Sequence, residues 1–273
     1  MSTAKIAFIG AGNMATAIAG GLVSQGFSTD NIAASDPYPP SLEAIKASTG
    51  IATYIDNDEA IAGASVVVLA VKPQVMAEVA TGISEAVNRE NAVVISIAAG
   101  ITIASLEKWL GGEVAIVRTM PNTPALVKAG ATGLYANTQV SEQQKVLTED
   151  ILNAIGITRW VNTEALLDAI TALSGSGPAY FFMFMEAMAA TGVRMGLDPE
   201  TSAQLAMQTG LGAAQMAMQS DVDLLELRKR VCSPGGTTLK AVESFESASL
   251  AQTVDNAMQA ALDRAIEMAK EMG

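Results

Sequence analysis

The sequence lacks the residue types on which much enzyme chemistry depends. Its 273 residues include no histidine and a single cysteine, Cys232. Without histidine there is no imidazole for a proton relay or a metal site, and one cysteine supplies neither a zinc cluster nor an internal disulfide. We therefore expect chemistry that relies on an organic cofactor, hydroxyl groups and backbone dipoles, in a cytoplasmic protein.

Positive charge and long apolar runs are also scarce. The chain has 16 Lys and Arg against 28 Asp and Glu, a formal net charge of −12. Such a surface repels phosphate backbones and anionic lipids, so neither nucleic acid nor a membrane surface is expected as a partner. The strongest candidate for a membrane-spanning helix, Pro178 to Ala190, is too short to span a bilayer and includes Glu186.

Half of the residues are hydrophobic, and over the first 160 residues short apolar runs alternate with helical stretches. This alternation predicts an α/β fold with a doubly wound parallel sheet. Strands are predicted at Ile6–Ile9, Asn31–Ser35, Val66–Val71, Ala92–Ile97, Val114–Thr119 and Thr132–Tyr135, with a further edge strand at Ile157–Val161. Helices are predicted at 13–25, 39–49, 74–88, 102–109 and 142–155.

Only helical periodicity is found after residue 162. The run Tyr180–Met185 is apolar on every face, and a helix of that kind is buried by other helices. A second copy of the chain would supply them, although a monomeric bundle remains an alternative. We expect a dinucleotide-binding domain over residues 1–162, followed by an all-helical domain for dimerisation and substrate binding over 163–273.

The opening segment carries the clearest motif. The strand Ile6–Ile9 runs directly into Gly10-Ala11-Gly12-Asn13-Met14-Ala15, a G-x-G-x-x-A pattern followed by an Ala-rich helical stretch. In the Rossmann fold, Gly10 would allow the tight turn and Gly12 would let the backbone approach a pyrophosphate. The helix N-terminus would then present free N–H groups to the phosphates.

Four other segments have the composition of ligand-binding loops. Val71-Lys72-Pro73 and the proline-rich Arg118–Pro124 each follow a predicted strand, where open α/β sheets bind ligands. Ser174–Pro178 and Cys232–Thr238 each precede a helix in the second half. The Gly235-Gly236 pair in the last segment suggests an anion-binding nest for a substrate carboxylate. Each segment could also be an ordinary connection.

Taken together, these motifs resemble those of the pyrroline-5-carboxylate reductase family over the whole chain. The matching segments are Ile9–Met14, Ala70–Pro73, Ser96–Gly100, Met120–Pro124, Leu173–Tyr180 and Val231–Thr238. The resemblance implies an NADPH- or NADH-dependent hydride transfer to the imine of 1-pyrroline-5-carboxylate, giving L-proline in the last step of proline biosynthesis. It also implies a homodimer, with dimers often gathered into decamers.

The resemblance also assigns roles to residues. Thr238 would be catalytic, as a hydrogen-bond partner of the imine nitrogen, and the substrate would be bound by Ser176, Ser233, Gly236, Thr237 and Thr238. The cofactor would be bound by Gly10, Gly12, Asn13, Met14, Ser35, Asn57, Ala70, Val71, Lys72, Pro73, Ala98, Pro121 and Asn122. No metal is expected.

The cofactor preference remains open at this point. Asp36 stands where an acid normally bonds the ribose 2′-hydroxyl of NAD and disfavours a 2′-phosphate. Ser35 and Asn57, however, match family positions near that ribose and could donate to a phosphate, so the family resemblance favours NADP with NAD as the alternative.

Two other functions compete with the reductase interpretation. A β-hydroxyacid dehydrogenase would need a catalytic lysine early in the helical half, yet no Lys or Arg lies between Trp160 and Arg194. A non-catalytic nucleotide-sensing dimer would keep the Gly10 loop but would have no need of the segment Ser233–Thr238.

Overall fold

The computed structural model describes residues 4–272, which form two compact units. The first unit comprises the residues up to Ser176 together with those from Ala261 onward, and the second comprises Gly177–Ala260. The last helix, Leu250–Met272, therefore contributes to both. The sequence predicts a domain boundary after residue 162, with cofactor binding before it and substrate binding after it. That division of functions stays a prediction.

The first unit is built on an eight-stranded sheet. Its strands are β1 (Ile6–Ile9), β2 (Ile32–Ser35), β3 (Ala52–Tyr54), β4 (Val66–Leu69), β5 (Val93–Ser96), β6 (Ile116–Met120), β7 (Gly130–Ala136) and β8 (Gly156–Trp160). They are ordered β3-β2-β1-β4-β5-β6-β7-β8, and the first six reproduce the 3-2-1-4-5-6 order of dinucleotide-binding folds. The predicted doubly wound α/β fold is confirmed.

One edge of the sheet is mixed. Strands β1 to β6 pair in parallel, whereas β7 pairs antiparallel with β6, and β8 runs parallel to β7. The carboxyl ends of β1 to β6 therefore meet along one border of the sheet, which we call the carboxyl edge. Ligands of open α/β sheets bind outside this kind of edge.

Helices cover both faces of the sheet and enclose a core on each side. They are α1 (Asn13–Ser24), α2 (Pro39–Thr49), α3 (Asn57–Ile61), α4 (Met76–Gly82), α5 (Ser84–Glu90), α6 (Ile103–Leu110), α7 (Glu142–Asn153) and α8 (Leu166–Ile170). On one face Phe8 and Ile18 are fully buried, and on the other Val67 and Leu106 are fully buried. Burial of this aliphatic surface is the main favourable term in folding.

Three local features differ from the sequence prediction or were not anticipated. The helix predicted over 74–88 is two helices, α4 and α5, separated at Ile83, where ψ is 2°. The short elements β3 and α3 were not predicted. Residues Thr171–Gly175 form a π-helical turn, closed by the Ser176 N–H donating to the Thr171 carbonyl at 2.8 Å.

The second unit contains helices only, as predicted. They are α9 (Gly177–Arg194), α10 (Pro199–Gln219), α11 (Leu224–Arg230), α12 (Thr237–Ser247) and the first part of α13 (Leu250–Met272). Asp198 caps α10 by accepting from the Thr201 N–H at 2.9 Å, and Pro199 occupies the first turn. Across residues 4–272, no helix combines the length and apolarity that crossing a membrane would need.

Candidate cofactor and substrate site

The turn between β1 and α1 has the geometry of a phosphate-binding loop. We call Gly10-Ala11-Gly12 the fingerprint loop. Gly10 has φ +99°, and a Cβ there would lie 2.7 Å from the Ala70 carbonyl oxygen, so only glycine fits. A Cβ on Gly12 would have no described atom within 4 Å. The backbone at Gly12 is therefore open on the side where a pyrophosphate would approach.

The N-terminus of α1 is left free by the residues that the structure describes. Gly12 is its N-cap and provides no side-chain oxygen, and the first turn contains no acidic residue. The N–H groups of the first turn, which includes Asn13 and Met14, thus lack a side-chain acceptor. Such a terminus with its positive dipole end binds anions.

The end of β2 lies next to the fingerprint loop and is densely hydrogen-bonded. The Gly10 N–H donates to the Ser35 carbonyl at 2.8 Å. The Ser35 side chain is fully buried, and its hydroxyl donates to the Asn57 Oδ1 at 2.7 Å. Ser35 thus fixes the orientation of the Asn57 side-chain amide, and the Nδ2 of that amide points away from Ser35.

Asp36 contacts the fingerprint loop directly. Its Oδ2 accepts from the Ala11 N–H at 2.9 Å, and its Oδ1 accepts from the Tyr38 N–H at 2.9 Å. Both carboxylate oxygens therefore accept from backbone donors, at a position where an acid commonly bonds the ribose of NAD.

The remaining cofactor candidates lie along the carboxyl edge. Ala70 and Val71 directly follow β4, and the Ala70 N–H donates to the Ile9 carbonyl at 2.8 Å. Lys72 and Pro73 continue this loop, with Pro73 beginning a short 3₁₀ helix. Ala98 is a buried residue just beyond the end of β5.

Pro121 and Asn122 follow β6, and the Asn122 amide joins two segments. Its Nδ2 donates to the Ser174 carbonyl at 2.9 Å, and its Oδ1 accepts from the Ala131 N–H at 2.9 Å. Asn122 thus connects the loop after β6 to the π-helical turn. Ser176, a predicted substrate-binding residue, directly follows that turn.

A charged cluster that the sequence did not reveal is centred on Arg118 of β6. The Arg118 guanidinium, 6% exposed, donates to Glu164 at 2.8 Å and to Asp168 at 3.4 Å. Glu164 also accepts from the Ile103 N–H at 2.8 Å, at the start of α6. The signal that could have found it is a lone charged residue in a predicted buried strand, because a buried charge needs a partner.

The candidate substrate loop lies in the second unit and precedes α12. Gly235 has φ +72°, and the Gly236 N–H donates to the Ser233 carbonyl at 2.9 Å, which closes a tight turn. Gly236 is the N-cap of α12, whose N-terminus has no side-chain cap among the described residues. Thr237 and Thr238 are the first two residues of α12 and are exposed. The N-terminus of α12 is thus a second helix N-terminus without a side-chain cap, and the hydroxyls of Thr237 and Thr238 lie beside it.

The structure therefore separates the predicted residues into two groups. All thirteen cofactor candidates lie in the first unit, as does Ser176, whereas Ser233, Gly236, Thr237 and Thr238 lie in the second. A Rossmann-type sheet with a free phosphate loop, joined to an all-helical unit, is the architecture of many NAD(P)-dependent oxidoreductases.

Comparison with known proteins identifies the family. A family model described as pyrroline-5-carboxylate reductase dimerisation matches residues 164–268, and one described as NADP oxidoreductase, coenzyme F420-dependent, matches residues 5–100. The chain is 50% identical to the pyrroline-5-carboxylate reductase of Pseudomonas aeruginosa over 273 residues, which is 100% of both chains. The chain belongs to the pyrroline-5-carboxylate reductase family.

Solved structures agree with this assignment. The pyrroline-5-carboxylate reductase of Coxiella burnetii is 43% identical, with a TM-score of 0.95 over 98% of this chain and 99% of that one. The pyrroline carboxylate reductase of Plasmodium falciparum, solved with NADP bound, is 33% identical, with a TM-score of 0.86 over 98% and 99% of the two chains.

Proposed function

We propose that this chain reduces the imine of 1-pyrroline-5-carboxylate to L-proline, with NADPH supplying the hydride. The observation that carries the proposal is the fingerprint loop, which is open at Gly12 and leads into a helix whose N-terminus has no side-chain cap. The chain is also 50% identical over its full length to a curated reductase of this name. The protein is an NAD(P)-dependent oxidoreductase.

The chain's residues fit a dinucleotide. Gly10 and Gly12 would let the backbone reach the pyrophosphate, and the first-turn N–H groups, including those of Asn13 and Met14, would bind its oxygens. The Asn57 amide, held by buried Ser35, would donate to the adenosine ribose or its 2′-phosphate.

Further along the edge, two loops would hold the rest of the cofactor. The loop after β4 would contact it through Ala70, Val71, Lys72 and Pro73, and Ala98, Pro121 and Asn122 would place the nicotinamide ring. Lys72 is the cation among these residues, which suits a ligand with negatively charged phosphates.

The substrate carboxylate would be bound by the second free helix N-terminus. Ser233, Gly236 and Thr237 offer hydroxyl and backbone donors where the dipole of α12 favours an anion. Ser176, which follows the π-helical turn, would add a further hydroxyl.

Thr238 would hydrogen-bond the imine nitrogen, which gains basicity as the hydride reaches the adjacent carbon. A cyclic imine is basic enough to be partly protonated near neutral pH, so the absence of histidine from the sequence is no obstacle. Most of the rate enhancement would then come from positioning.

A spectrophotometric assay tests the proposal. Purified protein should oxidise NADPH when 1-pyrroline-5-carboxylate is added, and should form proline in equal amount. The same assay with NADH measures the preference, and we expect NADPH to give the higher kcat/KM. NADPH binding without turnover on any cyclic imine would contradict the proposal and favour the nucleotide-sensing alternative.

We further propose that the enzyme is a homodimer formed through its helical unit, with dimers able to gather into decamers. The chain contains a dimerisation domain of this family. Several large apolar side chains of α9 and α10 are exposed in the single chain, such as Phe181 at 70% and Met183 at 73%. An exposed apolar surface of this kind marks a protein interface.

We also propose a cytoplasmic location. The only cysteine in the sequence, Cys232, is a free thiol, which suits a reducing compartment. Cell fractionation with an antibody against the protein would test this, and recovery in an oxidising compartment would contradict it.

A further inference from the structure

Asp36 occupies the position at which many Rossmann proteins select their cofactor. An acid at the end of the second strand commonly accepts from the ribose 2′-hydroxyl of NAD and disfavours the 2′-phosphate of NADP. The geometry here differs, since both oxygens of Asp36 accept from backbone N–H groups of the protein itself. We propose that Asp36 is a positioning residue for the fingerprint loop that serves NADPH and NADH alike, and that it does not select between them.

The first argument is the contact with Ala11. This residue is the centre of the fingerprint loop and is 4% exposed, and its N–H donates to the Asp36 Oδ2 at 2.9 Å. The preceding N–H, that of Gly10, donates to the Ser35 carbonyl at 2.8 Å. Two successive amides of the loop are therefore held by the end of β2. Because two of the three loop residues are glycines, which have great backbone freedom, these bonds fix a segment that would otherwise be mobile.

The second argument is that the carboxylate is itself held in place. Its Oδ1 accepts from the Tyr38 N–H at 2.9 Å, and the Asp36 N–H donates to the Tyr54 carbonyl at 3.3 Å. Asp36 thus joins the loop after β1 to the segment after β2 and to the last residue of β3. These two charge-assisted hydrogen bonds, which are stronger than neutral ones, orient the carboxylate toward the fingerprint loop, and a ribose hydroxyl would have to share an oxygen that is already engaged.

The test measures the dissociation constants of NADPH and NADH for Asp36→Asn and Asp36→Ala by fluorescence titration. Asparagine keeps one acceptor oxygen, and alanine keeps none. We expect both constants to rise in parallel, by about tenfold for Asp36→Asn and by more for Asp36→Ala, as for the loss of hydrogen bonds to a charged group. The ratio of the two constants should stay within about twofold of the wild-type ratio.

A kinetic measurement separates positioning from general damage to the fold. In Asp36→Asn, the KM for the cofactor should rise while kcat at saturating cofactor and imine stays near the wild-type value. Thermal unfolding without cofactor reports any loss of stability. Asp30→Asn is the matched control, because it also removes one carboxylate near β2, from an exposed residue at the opposite end of the strand. It should bind both cofactors as the wild type does.

Two results would overturn the proposal. A shift of tenfold or more in favour of NADPH on loss of Asp36 would assign it the selecting role, and unchanged affinity for both cofactors would remove any role. The proposal rests on the proposed binding of the pyrophosphate at the fingerprint loop, which Gly12→Val tests separately. If the Gly12→Val variant binds cofactor normally, the assignment of the fingerprint loop fails. If Gly12→Val binds cofactor weakly but the Asp36 variants change the ratio of the NADPH and NADH dissociation constants, the loop assignment stands and this proposal fails.

Discussion

At the scale of single residues, the chemistry proposed for this enzyme depends on a small hydroxyl. Thr238 is the second residue of α12 and is exposed in the single chain, directly after a glycine N-cap. In that position its hydroxyl and the N–H groups of the first turn of the helix would face the proposed substrate together. A threonine cannot act as a strong acid, so its contribution would be a hydrogen bond to the nitrogen as charge develops there.

Replacing Thr238 by alanine should therefore lower catalysis without affecting the cofactor. A hydrogen bond to a charged group contributes about 1.5–3 kcal/mol, so kcat/KM for the imine should fall by roughly ten- to a hundredfold or somewhat more. The Kd of NADPH should hardly change, and Thr238→Ser should recover most of the activity because it restores the hydroxyl. Full activity in Thr238→Ala would mean that the proton comes from water or from an already protonated substrate.

The two glycines of the fingerprint loop should respond differently to substitution. Gly12→Val adds a branched side chain where no described atom lies within 4 Å, so we expect normal thermal unfolding but greatly weakened NADPH binding. Gly10→Ala brings a Cβ to 2.7 Å from the Ala70 oxygen at φ +99°, so it should lower both stability and affinity. Calorimetric titration and thermal melts of both variants would check this contrast, and equal melting losses would argue against it.

At the scale of elements, the Arg118 cluster fixes α8 to the sheet. Arg118 lies on β6, and its two partners, Glu164 and Asp168, lie 46 and 50 residues further along the chain. The π-helical turn follows α8 directly, and Asn122 also holds that turn through the Ser174 carbonyl. Two independent contacts from β6 and its loop thus determine where the segment leading to Ser176 begins.

Removing the Arg118 guanidinium should be costly because it leaves two carboxylates without their cation. We expect Arg118→Met to lower the free energy of unfolding by about 3 kcal/mol, the usual result of breaking a buried ion pair. Urea denaturation would measure it. Adding Glu164→Gln and Asp168→Asn should restore part of the loss, since no unpaired charge then remains.

Arg89→Met is the control for this experiment. Arg89 pairs with Glu90 at 3.1 Å but is 55% exposed, so its loss should change stability by less than about 1 kcal/mol. Equal destabilisation by the two substitutions would mean that the Arg118 cluster has no special role in joining α8 to the sheet.

The same scale shows which elements a sequence can reveal. Strand β4 is a continuous run of fully buried aliphatic residues, and this pattern is visible without a structure. Strand β3 has only three residues, none of them fully buried, so it gives no such pattern. The antiparallel direction of β7 was also not evident, because the side-chain period of a strand is two in either orientation.

The site was predictable to the extent that it is local. The fingerprint loop and the Ser233–Thr238 loop are contiguous motifs whose glycines and prolines have direct backbone meaning. The bonds of Asp36 to Ala11 and of Asn122 to Ser174 span 25 and 52 residues and depend on side-chain conformation. No spacing rule gives such contacts, so neither the bond of Asp36 to the fingerprint loop nor that of Asn122 to the π-helical turn could be predicted from the sequence.

At the scale of the whole molecule, a single chain leaves much apolar surface exposed. Phe181, Phe182 and Met183 on α9 and Leu205 and Met207 on α10 are all more than half exposed. A helix that is apolar on every face is stable when other helices cover it. This surface is what a second copy of the chain would bury.

Size-exclusion chromatography with light scattering should therefore show at least a dimer. Met183→Glu would place a carboxylate in the proposed interface, and burying an unpaired charge is unfavourable, so it should shift the protein toward monomer. Ala47→Glu adds the same group at an exposed position on α2 and should leave the assembly unchanged. A wild-type protein that is a stable, active monomer at micromolar concentration would contradict the proposal.

The path of the last helix also sets the order in which the protein can fold as it is synthesised. Residues from Ala261 onward belong to the first unit, where Met268 lies against Gly100 and Met272 packs on the core beneath the sheet. When the ribosome has translated the chain up to Ser176, all eight strands of the sheet have been made. The residues of α13 that cover part of the core have not. Because Gly177–Ala260 must be translated before that covering is available, the N-terminal unit completes its core only after the entire helical unit has emerged.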